Sequence, residues 1–330
     1  MAQSRKKGRW RWWVGGVGVI LLLVLLDYIA YPRWAPMGGR SGNRGENGLW
    51  IRYTWYFGQY QEADLARLAG RLRQGQVRYV YAHVRYLRAN GELKFHFPAS
   101  ARRLTAGLHR VAPGVKVLAW IYVGGEGEHP PVNLADPTVR AKAVREADWL
   151  VRTCGFDGVQ WDYEICHNGD PRLVPLLRDT RAALPPGSLL SVCTALWYPA
   201  PVLRWYGWSE DYFAQIAPEC DQLAVMAYDS GIYLPRGYVA LMRRQVVHAT
   251  RAAARTNPHC RVLIGVPTYR EGGPAHHARA ENLRLALKGV REGLADPQTN
   301  LSTFAGIAPF AEYTTTVADW REVERDWIGR

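Results

Sequence analysis

From Leu49 onward, runs rich in β-branched and aromatic residues alternate strictly with amphipathic stretches of helical length, and this alternation limits the fold more than any other feature. The strand-like runs fall at 49–57, 77–84, 115–123, 157–164, 189–197, 221–229, 261–269 and 304–313. Helical stretches lie between and after them, at 62–73, 99–111, 137–152, 171–183, 209–216, 237–255, 277–292 and 316–327. Two helix starts repeat one device, an Asp cap ahead of a first-turn Pro, at Asp136-Pro137 and Asp170-Pro171. Eight strands with eight helices predict an α/β protein of the (β/α)8 TIM-barrel type, one domain over 49–330. A doubly wound open sheet competes with it, but the G-x-G-x-x-G turn expected after its first strand is missing there.

Ahead of the alternating region lies a segment of another kind. Basic residues 1–11 precede an uncharged run from Trp12 to Leu26, which Asp27 and Tyr28-Ile29-Ala30-Tyr31 follow. Residues 12–31 are long enough to cross a bilayer and carry no polar face that would suit a core helix. Positive charge stays on the cytoplasmic side, so a bacterial-type single-pass signal anchor is expected, with everything after Tyr31 extracytoplasmic. Secretion after signal cleavage is the alternative, and no clean small-x-small site supports it. Residues 32–48, rich in Pro and Gly without periodicity, are expected to form a tether.

Charge and cysteine content narrow the function classes. The chain carries 42 Lys+Arg against 29 Asp+Glu, and residues 1–48 hold eight basic residues and two acidic ones. The remaining basic residues are mostly single arginines among Glu and Asp, which suits a solvated surface better than a nucleic-acid groove, so no nucleic acid is expected as a partner. With 48% hydrophobic residues and only 5 Cys, the chain is neither disordered nor stapled by disulfides. Cys220 and Cys260 each precede a strand, which leaves open one disulfide across the barrel floor or buried free thiols; no metal-ligand spacing is present.

In a (β/α)8 barrel, function gathers at the C-terminal ends of the strands. Asp162 and Glu164 pass that filter on the fourth strand, Tyr228 and Asp229 on the sixth, Tyr269 and Glu271 on the seventh, Glu312 and Tyr313 on the eighth. Aromatic candidates for stacking on sugar faces are Trp55, Tyr56, Trp120, Tyr122, Trp197 and Tyr198, with Trp205, Tyr206 and Trp208 in the loop after the fifth strand. Strand alternation puts Gln160, Asp162 and Glu164 on one face, Trp161 and Tyr163 on the other, so the polar row points into the barrel. Two carboxylates so close in a poorly solvated place push one pKa up, which is what a general acid needs.

These residues resemble glycoside hydrolase family 18, the chitinase-like hydrolases. Asp157-Gly158-Val159-Gln160-Trp161-Asp162-Tyr163-Glu164 is similar to the family's D-G-x-D-x-D-x-E, Met226-Ala227-Tyr228-Asp229 to M-x-Y-D, and Gly265-Val266-Pro267-Thr268-Tyr269 to G-[IVL]-P-x-Y. The resemblance spans the barrel and departs at Gln160, where chitinases usually carry Asp. It implies a retaining, substrate-assisted mechanism on N-acetylhexosamine glycans, peptidoglycan or chitin-like, with no metal or cofactor. Glu164 would be the general acid, Asp162 would orient the 2-acetamido group, Tyr228 would donate to its oxygen, and Asp229 would complete the polar lining. Gln160, Trp55, Tyr56, Trp120, Trp197, Tyr269, Glu271, Glu312 and Tyr313 would bind substrate.

Two rivals remain. One is a retaining glycosidase using Glu164 and Glu271 as a two-carboxylate pair; the other is a non-catalytic glycan-binding barrel, for which Gln160 is the motive. The histidines His83, His96, His129 and His167 carry no assignment, and His276-His277 is expected to be a surface feature at a helix start rather than a metal site.

Overall fold

The computed structural model describes residues 4–124, 131–199 and 207–329. Its first element is the helix α1 (Ser4–Trp34). The barrel then alternates β1 (Asn47–Ile51), α2 (Tyr53–Tyr56), α3 (Glu62–Gln74), β2 (Val77–Tyr86), α4 (Pro98–Val111), β3 (Lys116–Tyr122), α5 (Pro137–Cys154), β4 (Gly158–Asp162), α6 (Leu173–Ala183) and β5 (Leu189–Thr194). A short pair, β6 (Leu196–Trp197) and β7 (Gly207–Trp208), follows. Then come α7 (Glu210–Ile216), β8 (Gln222–Val225), α8 (Pro235–Thr256), β9 (Arg261–Pro267), α9 (Leu283–Leu294), β10 (Phe304–Phe310) and α10 (Val317–Glu322). Eight strands pair in parallel in the order β1-β2-β3-β4-β5-β8-β9-β10. The Trp50 carbonyl accepts from the Glu312 amide across the β1–β10 seam, so the sheet comes round to a nearly closed (β/α)8 barrel.

Two apolar layers hold it together. Leu, Val and Ile from the outward faces of the strands pack with the helices, as in Trp161, whose Nε1 donates to Thr180 Oγ1 of α6 at 3.1 Å. A smaller cluster around Trp50, Tyr81, Trp120, Leu263 and Ala308 fills the interior. Gly158 starts β4 because a Cβ there would lie 2.0 Å from the Leu189 carbonyl oxygen of the neighbouring strand.

Seven of the eight barrel strands stop one to six residues short of the expected ends: β1 at Ile51 rather than 57, β3 at Tyr122, β4 at Asp162, β5 at Thr194, β8 at Val225, β9 at Pro267 and β10 at Phe310. Apolar and aromatic composition continues past the last ladder bond because these residues pack the barrel mouth without joining the sheet. Residues 53–56 even form a turn of helix. Of the two Asp-Pro starts, Asp136 caps α5 by accepting from the Thr138 amide at 2.8 Å. Asp170 does not cap α6; it takes the Arg172 guanidinium and its amide instead. All five cysteines are buried free thiols, Cys220 and Cys260 included.

The N-terminal helix contains an apolar section, Trp13–Trp34, long enough to cross a bilayer, and its Val, Leu and Ile side chains are exposed. The expected loose tether over 32–48 differs from what is found. Helix α1 absorbs Pro32 to Trp34, and the following residues lie bonded along the barrel wall: Arg284, Lys288 and Arg291 of α9 donate to the carbonyls of Ala35, Pro36 and Gly38. The backbone carbonyls of this irregular stretch are what α9 arginine and lysine side chains satisfy.

Candidate active site

Asp162 ends β4 inside the barrel mouth, 1% exposed. The Trp120 indole on the adjacent strand β3 donates to its Oδ2 at 2.7 Å, and the Cys193 thiol lies on its other side across from β5. Burial raises its pKa well above the carboxylate range, and the charge of Glu164 adds to that, against the Trp120 bond. Glu164 sits two residues past the strand end, at the rim and partly open to solvent. Limited solvation pushes its pKa up too; a Tyr122 hydrogen bond opposes this and the Asp229 charge reinforces it. Two carboxyls at one strand end thus both have pKa values raised by burial and by neighbouring negative charge.

Below them Gln160 belongs to a neutral chain of polar groups. Its Oε1 accepts from Trp50 Nε1 at 2.8 Å and its Nε2 donates to Ser191 Oγ at 3.0 Å. Ser191 in turn donates to Gln222 Oε1 at 2.9 Å, and Tyr81 donates to the same oxygen. An amide can donate and accept at once, which this position requires. Gln160 is therefore a buried support and not a group facing substrate.

Tyr228 projects from the end of β8 across from Asp162, stacked on Phe310 at 4.8 Å between ring centroids, with its hydroxyl pKa raised by burial. Gly265 of β9 makes room for it: a Cβ there would lie 2.9 Å from the Tyr228 ring. Asp229 takes left-handed backbone (φ 56°), which turns its carboxylate toward the Tyr269 hydroxyl, which donates to it, and toward His276 Nδ1 at 3.3 Å. Burial opposes its charge, yet bonds from His276 and Tyr269 outweigh it and lower the Asp229 pKa.

The cleft over Asp162 and Glu164 has a volume of about 370 Å³. Trp120, Tyr122, Tyr53, Tyr86 and Phe310 form its apolar walls, and Arg52, Arg85 and Tyr313 stand at its edge. Of the expected substrate-binding residues, Trp120 and Tyr313 line it, and Tyr269 stands beside Tyr228 at 6.2 Å between ring centroids. Trp55 and Glu312 lie in a neighbouring cavity, bonded to each other at 3.4 Å. Tyr56 is buried with its hydroxyl on the Phe95 carbonyl, and Trp197 is stacked flat on His248 at 3.7 Å against α8, so neither reaches the cleft. Glu271 is exposed, outside the cleft lining, and accepts from the Arg270 amide. Trp205, Tyr206 and His129 lie outside the described residues; Trp208 is buried, its Nε1 on the Cys166 carbonyl.

Three residues had no sequence signal. Arg52 and Arg85 follow or end strands as single arginines among many, and His83 looked like any strand residue. His83 stacks on Trp120 at 4.0 Å, and burial lowers its pKa to about 3, so it stays neutral behind the indole. His276 corrects another expectation. It is 4% exposed, between Asp229 and Glu281 at 3.3 and 3.4 Å. These three groups converge within 4.8 Å and could hold a cation. Burial disfavours the charged ring, but the two carboxylates outweigh it and raise its pKa to about 9, so the imidazolium itself supplies that positive charge.

No protein-family model and no curated protein matches the sequence. Solved structures do match the fold. The Bacillus cereus spore cortex-lytic enzyme SleL aligns with TM-score 0.56 at 14% identity, over 86% of this chain and 74% of that one. A mutant plant class V chitinase from Cycas revoluta, solved in complex with (GlcNAc)3, aligns with TM-score 0.58 at 16% identity, over 85% and 99%. The Chromobacterium violaceum chitinase gives 0.55 at 17%, over 85% and 98%. The chain has the chitinase-like TIM-barrel fold. At these identities the likeness concerns architecture, and chemistry has to be argued from the site.

Proposed function

We propose that the protein is a membrane-anchored glycoside hydrolase acting on N-acetylhexosamine glycans, with the barrel on the extracytoplasmic side. The observation that carries this is the pair at the end of β4: a buried Asp162 held by the Trp120 indole, and Glu164 with elevated pKa at the mouth of an aromatic cleft. A carboxylic acid kept protonated near neutrality is the group that protonates a leaving glycosidic oxygen. A second carboxyl beneath it, bonded on one oxygen, keeps its Oδ1 free to accept from an acetamide N–H.

The mechanism is retaining and substrate-assisted. Glu164 gives its proton to the glycosidic oxygen as the bond to the anomeric carbon breaks. The 2-acetamido carbonyl oxygen attacks that carbon from the other face and forms an oxazolinium ion. Asp162 accepts from the N–H through Oδ1 and so orients the group, the Glu164 carboxylate left by the proton transfer balances the oxazolinium charge, and the Tyr228 hydroxyl donates to the acetamido oxygen. Glu164, now a carboxylate, takes a proton from the water that opens the ring, which restores the acid. Stacking walls such as Trp120 suit the apolar C–H faces of the sugars.

The (GlcNAc)3 bound by the Cycas revoluta chitinase supports this substrate class. Glu271, exposed and away from the cleft, gives no support to a two-carboxylate pair. The test is hydrolysis of fluorogenic N-acetylglucosamine oligomers by the full chain in detergent. Turnover that Glu164→Gln abolishes and a thiazoline blocks supports the proposal; undiminished turnover by that variant, or binding of the oligomers without turnover by the wild type, overturns it.

A further inference from the structure

The way the N-terminal helix joins the barrel determines which end of the barrel meets the membrane. Two arginines on catalytic-side loops grip α1. Arg236, at the start of α8, pairs with Asp27 and stacks over the Tyr31 ring at 4.2 Å. Arg279, in the loop between β9 and α9, stacks over Tyr28 at 4.8 Å and donates through Nε to the Tyr28 carbonyl at 2.9 Å. That carbonyl is free because its helical partner would be residue 32, a proline without an N–H. Both loops leave the C-terminal ends of barrel strands, the end that holds Asp162 and Glu164.

From there the chain descends along α9: Ala35 meets Arg284, Pro36 meets Lys288, Gly38 meets Arg291, and Gly42 lies against Leu294. Only at the floor does it enter β1. A free linker over 32–48 could reach about 58 Å if extended; bonded in this way it gives the barrel no reach at all. Tyr31, the ring that Arg236 covers, lies about 27 Å along α1 from Trp13, close to the ~30 Å of a hydrocarbon core, which brings Arg236 to the headgroup level. Beside Arg236 stand Tyr233, 65% exposed, and Leu234, 47% exposed. An exposed aromatic-aliphatic pair next to basic residues suits an interface of anionic headgroups.

We propose that the arginine clamps and the strap along α9 hold the catalytic rim toward the bilayer, with Tyr233 and Leu234 in the lipid interface, so that the site takes glycan held at the membrane surface. This rests on the anchored-hydrolase proposal above. Its test uses the full chain in vesicles of phosphatidylethanolamine and phosphatidylglycerol. The native cysteines are all buried, so Tyr233→Cys on the rim and Pro113→Cys on the floor can each carry an environment-sensitive fluorophore. Quenching by a headgroup-labelled lipid is expected to be at least fivefold stronger at 233 than at 113, and Arg236→Ala with Arg279→Ala should remove the difference. Equal quenching, or stronger quenching at 113, overturns the orientation; failure of the protein to float with the vesicles overturns the anchor and the orientation together. Turnover of a chitotetraose-headgroup lipid in the same vesicles should exceed that of soluble chitotetraose about tenfold, with the double variant losing only this advantage. Equal turnover overturns the membrane-held substrate. Absence of turnover on both substrates, with rim quenching intact, overturns the hydrolase proposal and leaves the orientation standing.

Discussion

Trp120 and Asp162 form one unit across two strands: the indole Nε1 donates to Oδ2 at 2.7 Å, while His83 backs the same indole at 4.0 Å. The ring thereby does two tasks, lining the cleft and holding a buried carboxyl. Replacing it by Phe keeps most of the wall but removes the donor. Trp120→Phe should cost about 1–3 kcal/mol of transition-state stabilisation, roughly 5–160-fold in kcat/KM, mainly in kcat. Steady-state kinetics on a chito-oligomer checks this, and a change in KM alone would make Trp120 only a stacking wall.

Asp162 should also cost stability when charged. Its folded pKa lies above the unfolded one, so its contribution is fully present below the unfolded pKa and is lost as pH rises through the folded value. Asp162→Asn removes that penalty, so Tm should rise by about 2–4 °C at pH 8 and change little at pH 4, with activity gone. Calorimetry at the two pH values reads it; a fall in Tm at pH 8 would contradict the burial argument.

The alkaline limb of the kcat/KM profile should report Glu164 losing its proton, and it should lie above the usual carboxylate value of 4.5. Asp229 contributes to that elevation by its charge. Asp229→Asn should therefore move the limb to lower pH, and a limb that stays in place would separate the two residues electrically.

Gln160→Asp tests the neutral chain under the site. The carboxylate can still accept from Trp50, but it cannot donate to Ser191, which already donates to Gln222. The expected loss is about 1–3 kcal/mol, seen as a lower Tm by thermal unfolding. An unchanged Tm would mean that Ser191 and Gln222 re-pair freely.

Most of the architecture was legible because strand and helix periodicity are local properties. The polar row Gln160-Asp162-Glu164 was legible for the same reason, although the ladder ends at Asp162. Contacts between distant segments were not. Tyr56 and Trp197 have the same composition signal as Trp120, yet only packing decides that one bonds Phe95, one stacks on His248 and one faces the cleft. His276 read as surface because nothing local announces that Asp229 and Glu281 close over it. Residues 35–42 read as loose because their partners on α9 lie some 250 residues away.

The central claim is that the substrate's own acetamido group is the nucleophile. Its most direct test compares hydrolysis of two fluorogenic β-glycosides that differ only at C2, acetamido against hydroxyl, by wild type and Glu164→Gln. The account predicts that the acetamido substrate turns over at least about a thousandfold faster, only with Glu164 present. Comparable turnover of the 2-hydroxyl substrate would contradict it.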